Sequence, residues 1–313
     1  ADEVWLRTEH HPTVAGLPPH VTLHTFDALY DELDDFEQVY DAIADRVLRL
    51  GRRQQGVIYG VPGHPLVGES SVTRLLARAE ARDLAVHLVA GVSFVAPTLA
   101  ALKIDALAGL QIHDAVELAM LHHPPLNPDH ATLLAQLYSP TVAADVKLTL
   151  MNQYPDDHSV TLVRAAGTPD QQVTRVPLYQ LDRQAVDHLT ALYVPPMSRV
   201  SSFEGLQDTM AHLRAPEGCP WDREQTHDSL CSEVLEEAYE VVAAIDAGDV
   251  HALQEELGDL LLQVLMHVQI ATEEGAFKMV DVIAGIDAKL KYRHPHVWGE
   301  RPVSGAGEVL QRW

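Results

Sequence analysis

Over the first 196 residues, short apolar runs alternate with stretches whose apolar positions recur every three or four residues. After Pro196 only the second pattern remains. Runs bounded by turn or polar residues predict strands at Gly56–Tyr59, Val86–Ala90 and Val160–Ala165. Between them, helical spacing covers Val39–Leu50 and Ser71–Arg82. Such alternation predicts an α/β domain with a mainly parallel sheet. Val194-Pro195-Pro196-Met197 interrupts the pattern and predicts a boundary between domains at 1–196 and 197–313, while Pro124, Pro125 and Pro128 suggest an internal joint.

Downstream the periodicity predicts an all-α domain of at least four helices. Phe203–Leu213 is a short amphipathic one with Ser202 as N-cap. In Ser229–Ala247, Leu230, Val234, Ala238, Val241, Val242 and Ile245 form an apolar arc. Glu233, Glu236, Glu237 and Glu240 cover an adjoining arc of about 100°. Gly248 signals the C-cap. In His251–Glu274, residues Glu255, Glu256, Asp259, Gln263 and His267 share a sector of about 120°, and the rest is apolar. A helix of that kind is expected to be buried on several sides. Met279–Tyr292 carries the stripe Val280, Ile283, Ile286, Leu290, with Lys289, Lys291 and Arg293 at its C-terminal end and Pro295 as the stop.

Two acidic groups, Glu236-Glu237-Ala238-Tyr239-Glu240 and Glu256-Leu257-Gly258-Asp259, therefore lie beside apolar surface. Most glutamate pairs on helices are simply solvated. Here the second group has little room for a solvent face, and a turn at Gly248-Asp249 lets consecutive antiparallel helices bring both together. Neither helix offers a Lys or Arg at i±4. Crowded carboxylates raise one another's pKa or recruit cations, and hard oxygen donors without cysteine favour Mg²⁺ or Mn²⁺, with which phosphates commonly arrive. Lys289 and Arg293, one turn apart, suit either a helix C-terminus or the oxygens of a triphosphate. His10-His11, His122-His123 and His294-Pro295-His296 lack the spacing of a zinc pair and are expected to be surface or capping residues.

Bulk properties narrow the partners. Of 313 residues, 45 are acidic and 22 basic, a formal charge of −23 that repels nucleic-acid polymers and anionic membranes. Small nucleotides stay compatible with a local metal site. Only Cys219 and Cys231 are present, which fits a reducing cytoplasm rather than a disulfide framework. The acidic start Ala1-Asp2-Glu3 predicts no secretory leader, and the longest apolar run, Leu260–Ala271, is too short to span a bilayer.

The motifs Cys219-Pro-Trp-Asp222, Gln225-Thr-His227, Glu236–Glu240, Glu256–Asp259 and Lys289-Leu-Lys-Tyr-Arg293-His-Pro-His296 resemble the MazG family of nucleoside triphosphate pyrophosphohydrolases over residues 201–313. The resemblance implies Glu237, Glu240, Glu256 and Asp259 as metal ligands, Lys289 and Arg293 as phosphate contacts, and Trp313 as a nucleotide contact. It also implies cleavage between the α- and β-phosphates and a homodimer. Glu236 is then the expected base, with Glu233 in reserve, and Trp221 is open to two readings, a base-stacking ring or a core anchor. Residues 1–196 resemble the tetrapyrrole methylase domain fused to MazG. The matching segments are Val4–Thr8, Val61–Pro65, Gly91–Phe94, Ala101–Asp105, Val146–Met151 and Leu192–Pro196. That family binds S-adenosylmethionine between two α/β subdomains. Its opening strand and Gly-rich loop would precede Ala1, so methyl transfer is in doubt. A structural, sensing or dimer-supporting role is an equal expectation for this half. The rival functions are tetrapyrrole methylation and non-catalytic nucleotide binding.

Overall fold

In the computed structural model, which describes residues 2–33, 35–299 and 305–310, the chain divides into two units, Ala1–Arg199 and Val200–Trp313. Strand β1 (Glu3–Leu6) runs parallel to both of its neighbours, β2 (Thr22–Thr25) and β3 (Tyr59–Gly60). The crossovers carry α1 (Ala28–Glu32), α2 (Phe36–Gly51) and, after β3, α3 (Ser70–Glu80). Helix α2 buries Val39, Ile43, Ala44, Val47 and Leu48, spaced to form one face, and they pack with Phe26, Leu75 and Ala79. Outside that core α2 and α3 are joined by charge. Arg74 Nη1 lies 2.7 Å from Asp41 Oδ1, and Arg78 pairs with the same carboxylate.

Val86–Ala90 is not a strand. It joins no sheet, and Val86, Leu88 and Val89 are exposed. Apolar composition favours extended backbone, but a strand exists only where a ladder partner meets it.

The second sheet follows α4 (Val95–Leu102) and has the order β4 (Leu110–Asp114), β5 (Ala131–Ala135), β8 (Thr190–Val194), β6 (Ser159–Arg164), β7 (Gln172–Pro177). Only β4 and β5 are parallel, so the expected mainly parallel sheet holds for the first sheet alone. Short connections such as 165–171, which turns at Gly167 with φ +78°, suffice for antiparallel neighbours, whereas parallel ones need a crossover. Helices α5 (Ala115–Ala119) and α6 (Pro140–Leu150) cover this sheet, burying Leu118, Val146 and Leu150 with Leu134 and Leu192. Ser139 Oγ caps α6 by accepting the Val142 N–H at 3.2 Å.

The second unit is helical: α7 (Phe203–Leu213), α8 (Pro220–Glu224), α9 (Cys231–Ala247), α10 (Val250–Glu273), α11 (Met279–Arg293), α12 (Pro295–Trp298) and α13 (Ala306–Leu310). Ser202 Oγ accepts the Gly205 N–H at 2.9 Å and starts α7 as expected. The core joins Met210, Leu230, Leu265, Met266, Val268, Ile270 and Met279. Helix α10 is not buried along its whole length. Its burial is concentrated from Gln263 onward, while Leu257, Leu261, Leu262 and Val264 remain exposed. Among the described residues α9 is the main neighbour of its N-terminal half, while α7 and the start of α11 meet it near its C-terminal end.

Candidate metal and nucleotide site

Helices α9 and α10 form an antiparallel hairpin across a two-residue turn. Gly248 adopts φ +66°, a left-handed conformation that favours glycine, and closes α9 through its N–H to Ile245 O at 3.0 Å. Asp249 Oδ1 then caps α10, accepting the N–H groups of His251 (3.0 Å) and Ala252 (3.1 Å). With both ends fixed, residues about two to three turns either side of the turn face one another. Carboxylate oxygens of Glu237, Glu256 and Asp259 all lie within 4.8 Å of one another, and Glu240 is within hydrogen-bonding reach of Glu256.

The electrostatics agree with the crowding. Glu237 is held above the ordinary carboxylate range by partial removal from water and then by Asp259, Glu240, Glu236 and Glu233. Glu256 is likewise raised, by desolvation followed by Glu240 and Asp259. A divalent cation reverses that penalty, and four oxygen donors from two rigid helices fit Mg²⁺ or Mn²⁺ better than a softer metal. The residues therefore fit the metal that the acidic pattern implies.

Other predicted residues are distributed less closely. Glu233 is half-buried in the first turn of α9, and Glu236 is exposed beside Glu237. Trp221 lies on α8 and is 60% exposed, so it is not a core anchor. Lys289 is exposed and Arg293 half-buried on α11, whose first turn packs beside α10 through Met279. Trp313 lies outside the described residues. His294 is a capping residue, its Nδ1 meeting Leu290 O at 2.7 Å at the end of α11. In the first unit Glu9, His10 and Asp27 also cluster, but Asp27 already accepts the Glu9 N–H at 3.0 Å, which accounts for the grouping as a turn.

Sequence reasoning missed one pair. His227 Nδ1 and His267 Nδ1 approach to 2.7 Å with ring planes 3° apart, and His227 Nε2 faces Glu274 at 3.8 Å. His267 was legible as part of the acidic sector of α10, two turns beyond Asp259, but nothing in the chain links it to position 227. One ring must donate and the other accept, so the pair requires at least one neutral imidazole. Burial, then His227, lowers the His267 pKa below 6.5. Below that ordinary value the unfolded chain binds more protons than the folded one, so the contribution is complete above pH 6.5 and is lost as the pH falls through the folded pKa. The difference in Tm between wild type and His267→Phe should accordingly shrink or reverse between pH 7.5 and pH 5. Calorimetry at constant ionic strength measures it, and a pH-independent difference would exclude the shared proton.

Arg214 ties this region together. Its guanidinium is nearly buried, lies 2.8 Å from Glu273 Oε2, and donates to the carbonyls of Asp222 and Gln225. Helix α8, which bears Trp221, is thereby held to the end of α10.

Residues 1–182 match the family described as tetrapyrrole (corrin/porphyrin) methylases, and residues 225–298 match the MazG nucleotide pyrophosphohydrolase domain. The chain belongs to the tetrapyrrole methylase family and carries a MazG domain behind it. Among similar proteins, the uncharacterized protein YabN of Bacillus subtilis is 41% identical over 319 residues, spanning the whole chain and 64% of YabN. The nucleoside triphosphate pyrophosphohydrolase/pyrophosphatase MazG of Thermotoga maritima is 54% identical over 111 residues, 36% of this chain and 42% of that protein. The nucleoside triphosphate pyrophosphohydrolase of Escherichia coli K12 is 46% identical over 115 residues, 36% of this chain and 44% of that protein. The chain thus spans less than two thirds of the length of each of these relatives. Both parts of the tetrapyrrole methylase–MazG fusion are present, the first an α/β unit and the second helical. No helix among the described residues is long and apolar enough to cross a membrane.

Proposed function

We propose that the MazG domain hydrolyses nucleoside triphosphates between the α- and β-phosphates, giving a monophosphate and pyrophosphate. The observation that carries this reading is the carboxylate cluster of Glu237, Glu256 and Asp259 within 4.8 Å, on two helices inside the matched region. Glu237, Glu240, Glu256 and Asp259 would hold Mg²⁺. Bound there, the ion supplies Lewis acidity to the α-phosphoryl group and lowers the pKa of an attacking water. Glu236, exposed beside Glu237, would take that water's proton, and Glu233 on the same helix is the alternative. Lys289 and Arg293 offset charge on the departing pyrophosphate. Trp221, with its ring exposed, is available to stack on a base. The site's dense negative charge favours a metal-bound polyphosphate over an uncomplexed one.

A panel of canonical and damaged triphosphates with Mg²⁺ tests this. Pyrophosphate should appear in step with the monophosphate. Release of orthophosphate would place the attack at another bond and reject the reading.

For the first domain, family membership favours a second reading, methyl transfer from S-adenosylmethionine to a tetrapyrrole. Gly91 abuts the Val61–Pro65 loop so closely that a Cβ there would sit 2.2 Å from Gly63 O, which brings together two of the segments similar to the methylases. A structural, sensing or dimer-supporting role is the alternative for residues 1–196. Radiolabel transfer to a porphyrin precursor above background would exclude it as the sole role of this half.

A further inference from the structure

His227 and His267 share a bond that depends on how many protons the two rings carry. His267 stands within α10 between the buried residues Met266 and Val268, so the helix fixes its backbone. His227 lies on the short segment between α8 and α9 and is half-buried, within reach of solvent protons. Nδ1 faces Nδ1 at 2.7 Å. The bond survives in the neutral pair and with one added proton, because in both states one ring donates and the other accepts. A second proton makes both nitrogens donors, and the contact then sets N–H against N–H and cation against cation.

The doubly protonated pair has an alternative arrangement at hand. Glu274 Oε2 lies 3.8 Å from Nε2, the other nitrogen of His227, so a small shift of that ring exchanges a repelling neighbour for a carboxylate. The other charged or titratable groups on the elements that meet here are Arg214 at the end of α7, Asp222 on α8, Asp228 and Cys231 at the entry to α9, and Glu273 on α10. Arg214 is already engaged by Glu273 and by the carbonyls of Asp222 and Gln225.

His227 also sits in a turn that reaches Trp221. The Thr226 N–H donates to Ser229 Oγ at 2.9 Å and the Ser229 N–H to Thr226 Oγ1 at 3.1 Å, closing the chain around His227. Ser229 Oγ donates in turn to Gln225 Oε1 at 2.8 Å, and Gln225 Nε2 donates to Trp221 O at 3.0 Å. Hydrogen bonds therefore run unbroken from this turn to the helix that carries the exposed indole. Arg214 is a second tether on that helix, and its guanidinium stays charged throughout this pH range.

We infer that the His227–His267 pair is a proton-operated clasp: with at most one added proton it seats the 225–229 turn and Trp221, and with two it passes His227 to Glu274 and loosens that turn. The consequence for substrate rests on the pyrophosphohydrolase reading, with Trp221 against the base. Acidification then raises KM for the triphosphate more than it lowers kcat.

Amide hydrogen exchange of the full chain, read by mass spectrometry over residues 219–231 and corrected for intrinsic exchange, tests the clasp without an activity assay. In wild type, protection there should fall by about tenfold between pH 7.5 and pH 5, the effect of losing one hydrogen bond, while β6 and β8 keep theirs. His267→Lys, cationic at both pH values, should be loose throughout. His227→Phe/His267→Phe puts two uncharged rings in place of the pair and should be closed throughout. Glu274→Gln removes the alternative partner and should move the wild-type step to lower pH. A wild type without the step, or a step that persists in the double phenylalanine variant, overturns the inference. The KM for the triphosphate should rise more on acidification in wild type than in that variant, and an equal rise would rule out coupling to Trp221. If wild type hydrolyses no triphosphate, the pyrophosphohydrolase reading fails by itself, and the exchange step still decides the clasp.

Discussion

Asp259→Ala should reduce Mg²⁺-dependent pyrophosphate release by about three orders of magnitude or more while leaving α9 and α10 folded. The first half of that expectation follows from the metal: Lewis-acid stabilisation of a phosphoryl transition state amounts to several kcal/mol, and about 4 kcal/mol corresponds to roughly a thousandfold in rate. The second half follows from where Asp259 sits. It is exposed, and its main local effect without metal is repulsion, since it helps to raise both Glu237 and Glu256. Removing it relieves that repulsion, so the metal-free variant should melt no lower than metal-free wild type. Adding Mg²⁺ should raise the Tm of the wild type by mass action and leave that of Asp259→Ala almost unchanged. Pyrophosphate assays and thermal melts with and without a chelator measure both. Near-normal turnover in the variant would remove Asp259 from the ligand set.

The largest stability effect is expected in the first domain. Arg7 Nε lies 3.0 Å from Glu69 Oε2, and the Glu69 side chain is only 2% exposed. Ser71 Oγ donates to Glu69 Oε1 at 2.6 Å, and Arg7 Nη1 donates to the Tyr30 hydroxyl at 3.3 Å. Burial pushes Glu69 above the ordinary carboxylate range even with Arg7 opposing it. Arg7→Met takes that opposition away and strands a buried carboxylate, at a cost of about 3–5 kcal/mol. The variant's Glu69 should respond by binding a proton in the folded state. With a folded pKa above the unfolded one, stability falls as pH rises. The deficit should therefore be larger at pH 8 than at pH 5.5. Adding Glu69→Gln to Arg7→Met should recover much of the loss, because neither partner is then left charged and alone. Denaturant titrations at the two pH values supply the comparison, and a deficit that ignores pH would rule out the stranded carboxylate.

These sites differ in how much of them could be read along the chain. The acidic groups were legible because a helix converts spacing into direction. Glu237 and Glu240, or Glu256 and Asp259, share a side of any helix, and Gly248-Asp249 between them leaves little alternative to a hairpin. The Arg7–Glu69 pair was not legible, because 62 positions separate its members and only the parallel β1–β3 pairing brings Arg7 toward the segment that follows β3. His227 and His267 were hidden for the same reason. Val86–Ala90 failed in the opposite direction: its composition favours an extended strand, yet pairing is a property of two segments and the second is not beside it. The second sheet shows that alternating strands and helices need not imply parallel neighbours once a hairpin such as β6–β7 intervenes.

Local periodicity and capping chemistry, which depend only on near neighbours, were enough by themselves to determine the two-part organisation, the helical second half, the α9–α10 hairpin and its crowded acids. Tertiary structure alone decided which strands pair and which ionisable groups share a buried environment. The physical reason is range. Helical direction is set within a turn, whereas burial and charge neutralisation are settled by surfaces far apart in the chain.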